Sequence, residues 1–119
     1  MSAPPTIAFK LIDRDEWSGA LAEGRYHGSA VDLADGYIHM SSAEQLAETA
    51  RRHYAGRRDL VLLTVELEAL DEALVWEASR GGDLFPHLYG SLPIGTVSRA
   101  RDLIVDDDGA LYFDDGGTV

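Results

Sequence analysis

The run Leu60-Val61-Leu62-Leu63-Thr64-Val65-Glu66-Leu67 constrains the fold more than any other stretch. A near-continuous apolar run bounded by polar residues reads as a strand covered on both faces. Such a strand needs partners on either side and two separate layers of packing. The rest of the chain supplies shorter elements to surround it. Thr6 to Ile12 reads as a first strand, with Lys10 the odd residue inside it. Asp13 followed by Glu16 is a capping box for a helix that carries Trp17, Ala20 and Leu21 inward and stops at Gly24. Arg25 to Ala34 reads as loop. Asp35-Gly36 is a turn signal, Tyr37 to Met40 a strand, and Ser41 and Ser42 are N-caps with Glu44 and Gln45 three residues on, so a helix is expected from about Ser42 to Tyr54.

Downstream, Ala73 to Glu77 is another strand. Leu84 to Leu92 is apolar but broken by Pro86 and Gly90, which predicts a loop or an irregular edge strand. Val97 to Val105 and Ala110 to Phe113 flank Asp106-Asp107-Asp108-Gly109, a hairpin turn at a sheet edge. These elements predict a single α+β domain over residues 1–119, with about six or seven mostly antiparallel strands and two helices.

Composition narrows the function classes. The net charge of −11 argues against a general nucleic-acid binder. The absence of cysteine removes thiol nucleophiles, disulfide scaffolds and thiolate metal sites. No apolar run approaches the length of a membrane span, and no signal-peptide pattern opens the chain, so a cytoplasmic location is expected. Four arginines, Arg51, Arg52, Arg57 and Arg58, form a basic cluster that reads either as a solvated helix end or as a phosphate site.

Two stretches concentrate chemistry. Along the Tyr37–Met40 strand side chains alternate, so Tyr37 and His39 share one face, next to the hydroxyls of Ser41 and Ser42. The second stretch runs from Trp76 to Gly90. It holds Glu77 as a base or hydroxyl acceptor, Arg80 as a planar donor for phosphate or carboxylate, His87, and Tyr89 as a stacking surface. If residues 86–90 are extended, His87 and Tyr89 share a face. The alternatives are a hydrogen-bonded structural histidine at 39 and a packed aromatic loop with a Glu77–Arg80 pair. The four histidines, at 27, 39, 53 and 87, form no close pair in sequence. A zinc site from His39, His87 and a carboxylate is a minor alternative, and no metal is expected.

Taken together, Trp17, the stretch Asp32-Leu33-Ala34-Asp35-Gly36-Tyr37-Ile38-His39-Met40-Ser41, Gln45 and Thr49, Leu74-Val75-Trp76-Glu77, and Ser79 to Gly90 resemble a family of small bacterial proteins, domain of unknown function 952. The likeness runs from Phe9 to about Leu103. The stretch Gly36 to Ser42 is also similar to the second-motif strand of ADP-ribosyltransferase-like domains. That resemblance implies a split antiparallel sheet whose cleft holds nicotinamide adenine dinucleotide (NAD) as substrate. His39 would line the nicotinamide side and Ser41 would hydrogen-bond nearby. Lys10 stands where such enzymes place His or Arg followed by Gly, and Glu77 or His87 would take the third catalytic role. The implied set is His39, Glu77 and His87 as catalytic residues, with Lys10, Tyr37, Ser41, Arg80 and Tyr89 binding a nucleotide or small anionic ligand. Three functions compete: a transferase of this type, a binding module that kept the cleft without the chemistry, and a partner-binding protein with no pocket ligand.

Overall fold

The computed structural model describes residues 6–70, 73–78, 82–113 and 115–119. Its first layer is a four-stranded antiparallel sheet in the order β1 (Ile7–Asp13), β4 (Leu60–Glu66), β8 (Val97–Val105) and β9 (Leu111–Phe113). As the apolar run requires, β4 is interior, paired with β1 on one side and β8 on the other. Its two faces feed different cores. Val61, Leu63 and Val65 pack with Ala8, Ile12, Ile38, Met40 and Leu88. Leu60 and Leu62 pack with Leu11, Leu46, Ala50, Leu103 and Val105. A strand serving two cores has no solvent face, which is why its sequence does not alternate. The β8–β9 hairpin turns at Asp106–Gly109, with Gly109 N–H donating to the Asp106 carbonyl at 3.0 Å, and β9 forms the sheet edge.

A second sheet, in the order β3 (Ile38–His39), β6 (Leu84–Leu88) and β5 (Leu74–Ala78), is also antiparallel. A two-stranded ribbon joins β2 (Arg25–Tyr26) to β7 (Leu92–Pro93). Phe9 and Ser41 exchange backbone hydrogen bonds of 2.8 and 2.9 Å, stitching the β1 edge to the chain just past β3. The architecture is thus α+β, but with nine strands in three sheets among the described residues rather than six or seven in one.

Helix α1 (Arg14–Glu23) stops at Gly24, which takes φ 88° and donates its N–H to the Ala20 carbonyl at 2.8 Å. Asp13 holds the N-cap position without capping, because its carboxylate is taken by Arg57. The stretch expected to be loop contains a helix, α2 (Ala30–Asp35). Ser29 and Asp32 close a reciprocal capping box, Asp32 N–H to Ser29 Oγ at 3.2 Å and Ser29 N–H to Asp32 Oδ2 at 2.9 Å. With α3 (Leu46–His53) the described residues contain three α-helices, not two.

Helix α3 starts later than expected. The Ser41 backbone is committed to Phe9, and residues 43–45 form a turn. Only half of the Ser42 box survives, as Ser42 N–H donates to Gln45 Oε1 at 3.0 Å. The largest departure is β6, expected as loop or edge and found as the middle strand of its sheet. An antiparallel residue points its N and C=O to the same neighbour. The Pro86 carbonyl accepts from Met40 N–H at 3.1 Å, so the missing proline donor faces the point where β3 ends. The ladder to β5 loses nothing.

Candidate functional site

The register of the second sheet decides what it presents. Leu74, Leu88 and Ile38 lie in line, as do Trp76 and Pro86, and this face packs into the first core. Val75, His87 and His39 lie in line on the other face, with Glu77 beside Phe85. Cross-strand partners share a face. Three strands therefore bring His39, Glu77 and His87 together from distant parts of the chain. Tyr37 sits among them. Its ring stacks on His87 at 4.1 Å between centroids and 21°, and lies 4.6 Å from His39 and 5.2 Å from Tyr89. The two histidine rings are 5.6 Å apart, edge to face.

Each histidine is oriented by a carboxylate at Nδ1. Glu77 Oε1 accepts from His87 Nδ1–H at 2.9 Å and from the Tyr89 hydroxyl at 2.7 Å. The Tyr89 bond, then the His87 bond, hold the Glu77 carboxyl below its usual range, and the same contact pushes the Tyr89 hydroxyl up to about 12. Because an ionised carboxylate only accepts, His87 donates from Nδ1, and the neutral ring carries its lone pair on Nε2.

His39 is held on both sides. Its Nδ1 lies 2.6 Å from Asp32 Oδ1 and its Nε2 2.9 Å from Asp35 Oδ2. The Asp32 contact is a hydrogen bond, and the Asp35 contact is a close approach of the carboxylate to Nε2.

The anchor of this arrangement is Asp32, the buried N3 residue of α2 at 2% exposure. It also accepts from the His39 backbone N–H at 3.1 Å and pairs with Lys10, whose Nζ lies 3.0 Å from Oδ2. Burial works to raise the Asp32 carboxyl, but the hydrogen bond from His39, the Lys10 charge and the backbone donors of Ser29 and His39 overcome it and hold the group far below the usual range. Lys10 is buried in turn. Desolvation lowers its ammonium, opposed by the charge and hydrogen bond of Asp32.

A groove of about 820 Å³ runs along the free edge of β1 beyond Phe9, between α2 and α3. Lys10, Asp32, Asp35, His39, Ser41 and His87 all line it. Tyr37, Glu77 and Tyr89 touch the histidines but do not line the groove. Ser41 is buried with its hydroxyl 2.9 Å from the Thr49 hydroxyl. Arg80 lies outside the described residues. In the basic cluster, Arg51 and Arg52 pair with Glu48, and Arg57 pairs with Asp13 and Asp59. Among the described residues no group of three His, Cys, Asp or Glu is placed to hold a metal ion, and none of the helices is long and apolar enough to cross a membrane.

Sequence reasoning brought Lys10, Tyr37, His39, Ser41, Glu77, His87 and Tyr89 forward as site residues and passed over Asp32 and Asp35. The signal for Asp32 was local: Ser29-x-x-Asp32 is a capping box with aspartate in place of glutamate, and it marks the helix that delivers both carboxylates.

The family described as protein of unknown function (DUF952) matches over residues 11–100. The chain belongs to the DUF952 family. A crystal structure of the similar protein CC0527 from Caulobacter crescentus shares 54% identity, with a TM-score of 0.85 over 89% of this chain and 93% of that one. A double-methionine variant of CC0527 matches at 52% identity and TM-score 0.85. Its solution structure matches at 54% and 0.78, covering 88% of this chain and 90% of that one. No curated protein matches the chain. The likeness to CC0527 spans nearly the whole of both chains, so the α+β fold is shared with that protein and is not a peculiarity of this sequence.

Proposed function

We propose that the groove is a ligand site of ADP-ribosyltransferase type, taking NAD or a related nucleotide. The observation that carries this reading is the convergence of His39, Glu77 and His87 from three strands onto one face, with both histidines at the groove. The groove volume of about 820 Å³ suits a ligand of that size. The partly exposed His39 ring offers a stacking surface at its wall, His87 lies against the groove beneath Tyr37, and Glu77 is a carboxylate already fixed in place by two donors. In such a site, catalysis comes from holding the nicotinamide ribose while positive charge develops on it.

The test is incubation of the protein with NAD, following nicotinamide release, alongside thermal unfolding with and without the dinucleotide. A ligand that binds only the native state raises the melting temperature. Release together with a raised melting temperature supports the reading. An unchanged melting temperature up to millimolar NAD refutes it.

A second reading, a binding module without turnover, is favoured by one observation. The His39 ring is fixed by the hydrogen bond from Nδ1 to Asp32, with Asp35 Oδ2 2.9 Å from Nε2, which suits it to a fixed wall of the groove. Stabilisation without nicotinamide release would select this reading.

A further inference from the structure

We infer that His87 is the general base of this site, held in its working tautomer by Glu77, and that it deprotonates a water or hydroxyl attacking the nicotinamide ribose. The inference rests on the NAD-type reading of the groove and assigns the proton transfer within it.

The two histidines differ in a way that divides their roles. His39 has a carboxylate at each nitrogen, hydrogen-bonded to Asp32 through Nδ1 and with Asp35 Oδ2 2.9 Å from Nε2. Among the described residues His87 spends only Nδ1, on Glu77. Its Nε2 keeps a basic lone pair on a ring that lines the groove. The ring is 3% exposed and stacked on Tyr37, so it has one orientation. A buried imidazole with a carboxylate on Nδ1 is the arrangement that prepares Nε2 to accept a proton, because the carboxylate stabilises the imidazolium that results. Tyr89, donating to the same Glu77 oxygen, fixes the carboxylate in turn. Glu77 is then a positioning residue, acting through His87.

The step balances without a further reactant. A water oxygen forms a bond to the ribose C1′ as the bond from C1′ to the pyridinium nitrogen breaks. The electron pair of the broken bond goes to the ring nitrogen, which leaves as neutral nicotinamide. The water proton passes to His87 Nε2 and is later released to solvent. With a hydroxyl acceptor the same proton is taken and an O-glycoside forms.

Azide provides the test, since it is a nucleophile with no proton to remove. Purified protein is assayed for nicotinamide release from NAD with water alone and with added azide, for wild type, His87→Ala and Glu77→Gln. Both variants are expected to lower kcat with water by about 100-fold, with KM within about twofold. Azide is expected to restore most of the lost rate in both, as ADP-ribosyl azide. A purely structural role for either residue predicts no such rescue. If Glu77 instead acts directly on the ribose charge, Glu77→Gln stays slow with azide, and the positioning assignment falls.

His87→Ala opens space in a buried position, so circular dichroism checks its fold. Glu77 is half-exposed, and Glu77→Gln decides the matter if the histidine variant does not fold. Unchanged kcat in Glu77→Gln overturns the inference. NAD binding without release also overturns it but leaves the ligand-site reading standing. Absence of binding removes both.

Discussion

Lys10→Met probes the buried network on which the site is built. Methionine keeps an unbranched apolar stem and removes only the charge. Lys10 is 5% exposed and Asp32 2%, with the ammonium 3.0 Å from Oδ2 and 3.2 Å from Oδ1. Removing one partner of a buried pair typically costs about 3–5 kcal/mol, because a desolvated charge is left behind. Asp32 would keep its donors from Ser29 and from the His39 backbone and ring. The expected loss is therefore at the low end, about 3 kcal/mol. For a domain of this size that is a fall of roughly 12 °C in melting temperature. Urea denaturation at pH 7 measures it directly. Asp32→Asn alone strands the lysine and should cost a similar amount. The double variant Lys10→Met/Asp32→Asn buries no charge and should recover about 2 kcal/mol relative to the sum of the singles. A loss below about 1 kcal/mol in Lys10→Met, the size of an exposed pair, would refute the reasoning. So would strict additivity in the double variant.

The same network sets an acid limb. The Asp32 carboxyl is held low in the folded chain, so the stability it contributes is complete above the unfolded value of about 4 and is lost as pH falls below it. Urea midpoints between pH 5 and pH 2.5 should fall more steeply in wild type than in Lys10→Met, and equal slopes would count against the assignment. Gly28 has φ 113°, and a Cβ there would lie 2.8 Å from Asp32 Cβ. Gly28→Ala should cost about 2 kcal/mol and shift the His39 ring resonances in NMR spectra; unmoved resonances would show that Asp32 does not hold the ring. The Tyr26 hydroxyl is buried without a hydrogen-bond partner among the described residues, so Tyr26→Phe should raise stability by about 1 kcal/mol. A loss on that substitution would reveal a bonded hydroxyl.

Local rules carried a large part of the fold. The apolar run from Leu60 announces an interior strand because a strand with no solvent face has no reason to alternate. Gly24 and the Asp106–Gly109 turn end their elements through backbone geometry that neighbours alone dictate. Alternation along Tyr37–His39 put the two rings on one side, where they lie 4.6 Å apart. The errors arose where a local signal competed with a distant partner. Asp13 spends its carboxylate on Arg57 instead of its own helix. Ser41 spends its backbone on Phe9 and delays α3. Pro86 reads as a strand breaker, yet it is tolerated in the middle of a sheet because its missing donor faces the end of a two-residue strand.

The site divides along the same line. Sequence by itself determined which groups were present and which neighbours shared a face, since side-chain alternation and capping act over a few residues. Tertiary structure alone decided that His39 and His87 are cross-strand partners, that Lys10 is spent on Asp32, and that Asp32 is the anchor of the network. Those facts depend on strand register and on the burial of charge. Register is set by the whole pattern of apolar faces meeting in the core, and a buried charge must find its counterion wherever in the chain that lies.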